Sequence, residues 1–339
     1  MRERRESVSR RQIVRGLVAT GAAAVLRLPT RAIAAEAPLE TTKLTLHHSL
    51  SICQAPQYVA EELLRGEGFT EVKFLTFEES GGVYKALGAG TVDISNDFAP
   101  VVLTELDKDS PIVVLGGLHV GCFELIGTDR VRAIRDLRGK TVAVRGLGTP
   151  PHLFLASMLA YVGLNPRTDI TWVTLPSAEA MERLAERKVD ALMGFPPEPQ
   201  ELRARKIGHV VVNSSRDRPW SQYFCCMTIA NREFVRKCPV ATKRVLRAFM
   251  KASDICASQP DRAARTLVTK GVTKRADYAL QTMADVPYDK WRQFDPEDTV
   301  RFYALRLYET GMIKGTPKKL IAQGVDWRFL NELKRELKA

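Results

Sequence analysis

The sequence predicts an α/β protein made of two related units that face each other across a cleft. Lys140–His152 has the pattern of a buried strand, a glycine turn and a helix start, and the segment from Lys43 has the same pattern 97 residues earlier. This one offset continues without a gap over about seventy residues, with matching element types, as an internal duplication would give. Apolar runs that alternate with helical patterns predict parallel sheets covered on both faces, and such sheets bind ligands beyond the carboxyl ends of their strands.

Residues 1–34 have the pattern of a twin-arginine export signal. Arg10-Arg11 precede an apolar run from Gly16 to Leu26, and Ala32-Ile33-Ala34 matches a small-x-small cleavage site. The apolar run is much shorter than the roughly 20 residues that a membrane-spanning helix needs. This order of features predicts export of the folded chain to the bacterial periplasm, with cleavage at the end of the signal.

Charge and cysteine content argue against several classes of function. The formal net charge is +12, but eight Arg and two Glu in the first 34 residues account for half of it. The mild surplus that remains forms no long basic stripe, which argues against nucleic-acid binding. The six cysteines include no C-x-x-C pair, so they are interpreted mainly as buried apolar side chains, with one or two disulfides left open for an exported chain. We predict neither a metal site nor a cofactor.

Loops at the carboxyl ends of the strands supply the binding candidates of the first unit. Its strands are predicted at Lys43–His48, Val72–Phe77, Val92–Ser95 and Ile112–Leu118. The loop after the first strand contains Ser49, Ser51, Cys53 and Gln54 and leads into a helix N-terminus, where backbone N–H groups favour anions. Capping of the helix by the serines is an equally open interpretation.

Three further groups of the first unit follow strands or open helices. Gly81 and Gly82 allow the backbone to approach a ligand closely, unless they only relieve a tight turn. The remaining candidates follow the third and fourth strands, and they are Asn96, Asp97, Phe98 and His119.

The second unit repeats the arrangement, with strands predicted at Lys140–Val144, Ile170–Leu175, Val189–Met193 and Val210–Asn213. Its first loop and helix start contain Arg145, Gly148, Thr149 and His152. Pro150-Pro151 removes two backbone donors there, so an anion would depend more on the side chains of Arg145, Thr149 and His152. Packing of His152 within the helix is an equally open interpretation. A second loop contributes its aromatic and acidic side chains to the pocket wall, and these are Phe195 and Glu198.

The chain is predicted to cross between the units twice, at 123–127 and at 219–228, which makes a hinge. Trp220 in the second crossing is a further candidate pocket residue. Cys225 and Cys226 are expected to point to opposite faces of an extended segment. From Asn231 onward the pattern is helical, and these C-terminal helices are expected to brace the first lobe.

Four stretches of the chain together resemble a known family. They are Gln54-Ala55-Pro56-Gln57-Tyr58-Val59-Ala60, Leu87–Ile94, Asp136–Val144, and Phe234-Val235 before the helix at Val240. The segment from Lys43 to about Lys251 thus resembles the periplasmic solute-binding proteins of ABC importers for nitrate, sulfonates, taurine and thiamine-pyrimidine precursors. The resemblance implies the two-lobe, type 2 periplasmic-binding fold with two crossover strands. Its limits would be 41–124 and 227–339 for lobe 1 and 125–226 for lobe 2.

The resemblance also implies a function. The chain would be a monomer that binds a small organic anion, with a carboxylate and an aromatic acid as candidates, and would deliver it to an ABC permease without catalysis. The family's ligand positions correspond here to Ser49–Gln54, Gly81-Gly82, Asn96–Phe98, Gly148–Pro150 and Phe195–Glu198. An enzyme branch that makes the thiamine pyrimidine has the run Cys-Cys-Cys-Phe-Cys where Tyr223–Met227 stands here, and only two cysteines remain. That enzyme activity, and a sensor that presents its ligand to a receptor, are the alternatives.

Overall fold

Two five-stranded sheets organise the structure, a computed structural model that describes residues 36–77 and 81–337. The predicted export signal lies outside the described residues. The strands are β1 Lys43–His47, β2 Glu71–Leu75, β3 Ile94–Phe98, β4 Ile112–Val120, β5 Glu124–Gly127, β6 Lys140–Val144, β7 Ile170–Thr174, β8 Ala191–Gly194, β9 His209–Asn213 and β10 Phe224–Asn231. In the first lobe the strand order is β2-β1-β3-β10-β4, and in the second it is β7-β6-β8-β5-β9.

Helices connect and cover the strands of both sheets. They are α1 Ala55–Gly66, α2 Gly82–Gly88, α3 Ala99–Asp107, α4 Pro150–Tyr161, α5 Ser177–Ala185, α6 Glu198–Ala204, α7 Arg232–Lys237, α8 Pro239–Ser258, α9 Pro260–Thr269, α10 Ala276–Asp285, α11 Pro296–Glu309, α12 Pro317–Gly324 and α13 Arg328–Glu336. Within the part of the chain that the structure describes, none of these helices has the length and apolarity to span a bilayer.

The predicted duplication is confirmed by the topology of the sheets. The two strand orders are equivalent position by position, because β1 to β4 correspond to β6 to β9 in sequence order. In each sheet the fourth place is taken by a strand that arrives from the other half of the chain, β10 in the first and β5 in the second, and both are antiparallel to their neighbours. The chain therefore crosses between the lobes twice, at 121–123 and at 214–223.

The third strand differs from its sequence prediction. Asn96, Asp97 and Phe98, expected to follow the strand, lie within β3. The reason is the returning strand β10, which pairs with β3 and extends it, with Thr228 opposite Asn96 and Cys226 opposite Phe98. A partner so distant in sequence leaves no local signal, so the pattern around residue 95 could not show where the strand ends.

The C-terminal helices brace the first lobe as expected. Helix α8 packs on α1 and β4, α13 packs on α8 and β4, and α12 packs on α3 and β4. Two of these helices also contact the second lobe, α11 through α4 and α10 through α6. The arrangement of the lobes in this structure is therefore stabilised by packing in addition to the two crossings.

Candidate ligand-binding site

A cavity of about 820 Å³ lies between the two lobes. Five predicted residues line it: Gly81 and Asp97 from the first lobe, and Gly148, Thr149 and His152 from the second. Asp97 lies near the end of β3, Gly81 follows β2, and the other three follow β6, at the carboxyl edge where parallel strands place their loops. The cavity thus brings together predicted residues from loops of both lobes.

A smaller pocket of about 30 Å³ adjoins the cavity on its inner side. Asp97 and Pro150 line both spaces, which makes them parts of one site. The smaller pocket is lined by Ser51, Cys53, Gln54, Asp97, Phe98, Cys122, Phe123, Pro150, Phe195, Cys225 and Cys226. Five of these residues were predicted from the sequence and do not line the large cavity: Ser51, Cys53, Gln54, Phe98 and Phe195. The inner pocket is therefore aromatic and thiol-rich.

Asp97 is the main polar group shared by the two spaces. Its Oδ2 accepts a hydrogen bond of 2.7 Å from the Tyr84 hydroxyl, and its Oδ1 accepts one of 2.7 Å from the backbone N–H of Phe98. Burial raises the pKa of the Asp97 carboxyl, and the hydrogen bond from Tyr84 opposes that rise. Burial, reinforced by the charge of Asp97, also raises the pKa of Tyr84 well above its ordinary value.

Gln54 has a buried acceptor without a partner. Its side-chain Oε1 makes no hydrogen bond within the described residues, although the residue is only 4% exposed. A buried polar atom in this state costs about 1–3 kcal/mol unless a ligand or water satisfies it. Together with Asp97, it makes the inner pocket suited to a ligand group that donates hydrogen bonds.

The N-terminus of α4 offers few free donors to an anion. The backbone N–H of Gly148 donates to Nδ1 of His152 at 3.0 Å, and the Thr149 hydroxyl donates to the Gly146 carbonyl at 2.6 Å. Prolines occupy the first two helical positions and have no N–H. The donors at this helix start are therefore largely engaged in hydrogen bonds within the segment, which leaves few of them for the anion that the sequence interpretation places here.

His152 couples the stability of the site to pH. Burial lowers its pKa to about 4, so the folded protein binds fewer protons than the unfolded chain between pH 4 and the unfolded value. Its contribution to stability is then complete above about pH 6.5 and is lost as the pH falls towards 4. Protonation would also break the bond in which Nδ1 accepts from Gly148.

We expect His152→Asn, which keeps an acceptor near the Nδ1 position, to lose less stability on acidification than the unsubstituted protein. The difference should reach on the order of 2 kcal/mol between pH 7 and pH 4. Urea unfolding across this range measures it. His209 is exposed, so His209→Asn is the control, and its stability should change with pH in the same way as that of the unsubstituted protein. Identical pH profiles for all three proteins would contradict the buried, neutral state of His152.

Arg145, Phe195 and Glu198 form one wall of the second lobe. Arg145 donates two hydrogen bonds to Oε1 of the buried Glu198, at 3.0 and 2.6 Å, and its guanidinium lies 4.6 Å from the centre of the Phe195 ring. Oε2 of Glu198 accepts from the Phe195 backbone at 3.2 Å. The positive charge of Arg145 is thus neutralised within its own lobe, and this pair serves to hold the Phe195 loop.

Other predicted residues lie outside the two cavities. Ser49 accepts the Tyr58 hydroxyl through its carbonyl, Gly82 begins α2, and Asn96 lies in a buried amide network. Trp220 is 3% exposed and packs among aromatic rings between the lobes. His119 lies at the end of β4, fully buried. Their roles as ligand contacts remain predictions.

The expected separation of Cys225 and Cys226 is wrong. The Sγ atoms of both lie within 4.8 Å of each other and of a His119 nitrogen. Strand β10 carries register irregularities against β4 on both sides of Cys226, and such bulges rotate a side chain away from strict alternation. The two thiols consequently share one cluster.

A family comparison adds to this geometry. The model of the NMT1-like family matches residues 37–270, which is more than half of the chain. The chain belongs to the NMT1-like family. Curated proteins give no match to this NMT1-like sequence.

Solved structures show that this NMT1-like protein has the fold of periplasmic binding proteins. The alkanesulfonate-binding protein SsuA from Xanthomonas axonopodis pv. citri, bound to MOPS, is 18% identical with a TM-score of 0.67 over 86% of this chain and 100% of its own. The periplasmic nitrate-binding protein NrtA from Synechocystis PCC 6803 is 16% identical, with 0.66 over 89% and 90%. The desulfurization enzyme DSZB is 14% identical, with 0.59 over 87% and 99%. The predicted type 2 fold and the resemblance are confirmed.

Several lining residues of the NMT1-like protein were not among the sequence candidates. Tyr84, Lys108, Arg167 and Trp172 line the large cavity. Tyr84 lies on α2 and Trp172 in β7, where an aromatic residue looks like ordinary core. Lys108 lies directly after α3 and Arg167 in a turn after α4, where a basic residue looks like ordinary surface. The sequence pattern indicated ligand contacts only in loops that follow strands, so it did not indicate these four residues.

Proposed function

We propose that the chain is the solute-binding component of an ABC importer, exported to the periplasm, where it binds a small organic solute between its lobes and delivers it to the permease unchanged. The cavity of about 820 Å³ between two crossover-linked lobes carries this proposal. Family membership and a fold shared with sulfonate- and nitrate-binding proteins support it. A cavity of this size suits an organic molecule better than a small inorganic ion.

The charges of the large cavity indicate a solute with two different polar ends. Among its described lining residues, Asp97 and Glu105 are acids, and Lys108 and Arg167 are bases. Lys108 already pairs with Glu105 at 2.7 Å, and Arg167 reaches across to the Gly311 carbonyl at 2.7 Å. The remaining donors of Arg167 suit a carboxylate, which forms strong hydrogen bonds with guanidinium.

The inner pocket should receive the opposite end of the solute. Asp97 and Oε1 of Gln54 accept hydrogen bonds there, and Phe98 and Phe195 supply flat apolar walls. We therefore propose an aromatic acid that also carries an N–H donor as the ligand class. This keeps the expected acidic group and adds a hydrogen-bond donor that nitrate and a simple sulfonate lack.

A thermal-shift and calorimetry panel tests the proposal. Its members are 4-aminobenzoate, benzoate, aniline, nitrate, methanesulfonate, and the amino acids and nitrogen heterocycles that carry both group types. We expect binding in the class with both groups, with about 2.7 kcal/mol of stabilisation at a hundredfold excess over Kd. Mass spectrometry should recover the bound molecule unchanged. Binding of nitrate or methanesulfonate alone would contradict the ligand class, and no shift with any compound would contradict the solute-binding function.

Two substitutions locate the ligand within the cleft. Arg167→Ala should weaken binding of the acid at least about tenfold. Asp97→Asn should weaken binding of compounds with an N–H donor and leave the affinity for benzoate unchanged. Arg183→Ala, which removes an exposed arginine paired with Glu179 on α5, is the matched control. Equal affinities for all variants would place the ligand elsewhere.

A further inference from the structure

Four of the six cysteines, all lining the inner pocket, gather with one histidine in a buried cluster. Cys53, Cys122, Cys225 and Cys226 are each at most 6% exposed, and His119 is fully buried. The ligand atoms of Cys53, His119 and Cys122 lie within 4.8 Å of one another, as do those of His119, Cys225 and Cys226. The Sγ atoms of Cys122 and Cys225 are 3.3 Å apart. We call these five residues the thiol cluster.

The histidine of the thiol cluster is oriented to act as a ligand. Nδ1 of His119 is 2.9 Å from the carbonyl oxygen of Gly121, and a carbonyl can only accept, so Nδ1 carries the hydrogen. Nε2 is then a bare lone pair, buried and without a hydrogen-bond partner among the described residues. A metal-ligating histidine commonly has this arrangement, with the second nitrogen donating to a backbone carbonyl.

The turn that orients the histidine depends on glycine. Gly121 has φ +59, and a Cβ there would lie 2.4 Å from the Cα of Ser215. The next residue is held in place by Ser214, whose hydroxyl accepts the backbone N–H of Cys122 at 3.1 Å. The carbonyl of Gly121 and the thiol of Cys122 are thus positioned by the second lobe, at the end of β9.

The geometry of the thiol cluster fits one four-coordinate ion. In a tetrahedral site with bonds of about 2.0–2.3 Å, ligand atoms lie roughly 3.3–3.8 Å apart. The 3.3 Å between the Sγ atoms of Cys122 and Cys225 already fits this range, and the other ligand atoms of each group, which lie within 4.8 Å of one another, would have to move closer by at most about 1.5 Å. Both groups of three use the single Nε2 of His119, which excludes two separate ions. Thiolate and imidazole ligands select soft, borderline cations over magnesium or calcium.

We propose that the thiol cluster binds one thiophilic d¹⁰ metal ion, Zn²⁺ or Cu⁺, through Nε2 of His119, the thiolate of Cys122 and the thiolates of two of the other three cysteines. Each ligating thiol releases its proton to solvent on binding. The candidate ligands come from the loop after β1, the end of β4, the first crossing and β10, so the ion would link the first crossing to strands of the first lobe. The candidate set differs from the five-residue cysteine run of the thiamine-pyrimidine enzymes, since three of its five members, Cys53, His119 and Cys122, lie outside that position.

Metal titration of the full mature chain tests the site. The protein is purified under reducing conditions and stripped with a chelator, then titrated with Zn²⁺ against a chromophoric chelator and, without oxygen, with Cu⁺. Cd²⁺ serves as a spectroscopic probe, because thiolate ligation gives a near-ultraviolet charge-transfer band. We expect one ion per chain and protection of the cluster thiols from alkylation, and comparison of the two affinities identifies the ion.

Substitutions distinguish ligation from packing. Cys122→Ala and His119→Asn should weaken the ion's affinity at least about a hundredfold, beyond the effect of losing a supporting partner. Cys256→Ala removes an equally buried cysteine outside the thiol cluster and should leave the affinity unchanged. Urea unfolding of the metal-free variants checks folding. If either variant fails to fold, Cys122→Ser, which keeps a small polar side chain, replaces it.

Three results would overturn the proposal. They are the absence of stoichiometric binding of either ion, an equal loss in Cys256→Ala, and a Cys122–Cys225 disulfide in protein isolated from the periplasm. All readouts are independent of the solute, and the solute panel is run on metal-free protein. Failure of the metal site and failure of the solute-binding function are therefore separate outcomes.

Discussion

Asn96→Leu is expected to destabilise the protein by about 3–5 kcal/mol while leaving the cleft residues in place. Nδ2 of Asn96 donates to Oε1 of Gln57 at 3.1 Å, and its Oδ1 accepts from the Thr228 hydroxyl at 2.7 Å. Gln57 donates in turn to the His47 carbonyl at 2.6 Å. The leucine would leave Gln57 Oε1 and the Thr228 hydroxyl buried without partners, and each such group costs about 1–3 kcal/mol.

Urea unfolding at neutral pH measures this loss. Asn331→Leu, on the exposed face of α13, is the matched control and should change stability by less than about 0.5 kcal/mol. The sequence interpretation of Asn96 as a ligand contact predicts the reverse pattern, with normal stability and lost solute binding. An Asn96→Leu protein of unchanged stability would therefore restore that interpretation.

Asn96 illustrates what the sequence could predict and what it could not. The alternation of strands and helices depends on neighbouring residues, so the duplication and the strand positions from Lys43 to Asn213 followed from local patterns. A polar residue near a strand end has two possible uses, contact with a ligand or a bond to a distant strand. Only the position of Thr228 on β10 shows that Asn96 makes such a bond, and its role as a ligand contact stays a prediction.

The thiol cluster shows the same limit in a different form. The sequence placed Cys53, Cys122 and the pair Cys225-Cys226 on separate segments. The alternation of side chains along a strand also predicted that Cys225 and Cys226 point to opposite faces. Bulges in β10 and the turn at Gly121 bring them to one point. Neither feature has a sequence signature that is specific enough to be recognised without the sheet partners.

An aromatic cluster connects the lobes in the arrangement described here. The ring of Phe154 on α4 lies 5.5 Å from Phe98 on β3 and 5.1 Å from Phe123 in the first crossing. Its distances to Trp220 and Tyr303 are 5.9 and 6.0 Å. Because Phe98 belongs to the first lobe and Phe154 to the second, a motion that opens the cleft must separate these rings.

We therefore expect Phe154→Ala to lose about 3–5 kcal/mol of stability and to shift the protein towards an open arrangement. Part of the loss is burial, and each aromatic pair adds about 0.5–1.5 kcal/mol beyond it. Urea unfolding measures the first effect. Small-angle scattering of the solute-free protein measures the second, as a larger radius of gyration than that of the unsubstituted chain.

Phe69→Ala separates the loss of a core ring from the loss of the contact between the lobes. Phe69 is 1% exposed and lies in the first lobe between α1 and β2, so its removal should cost a similar free energy without changing the radius of gyration. If Phe154→Ala scatters like Phe69→Ala, the aromatic cluster adds stability but does not set the position of the lobes. The packing of α11 on α4 would then hold the cleft in this arrangement.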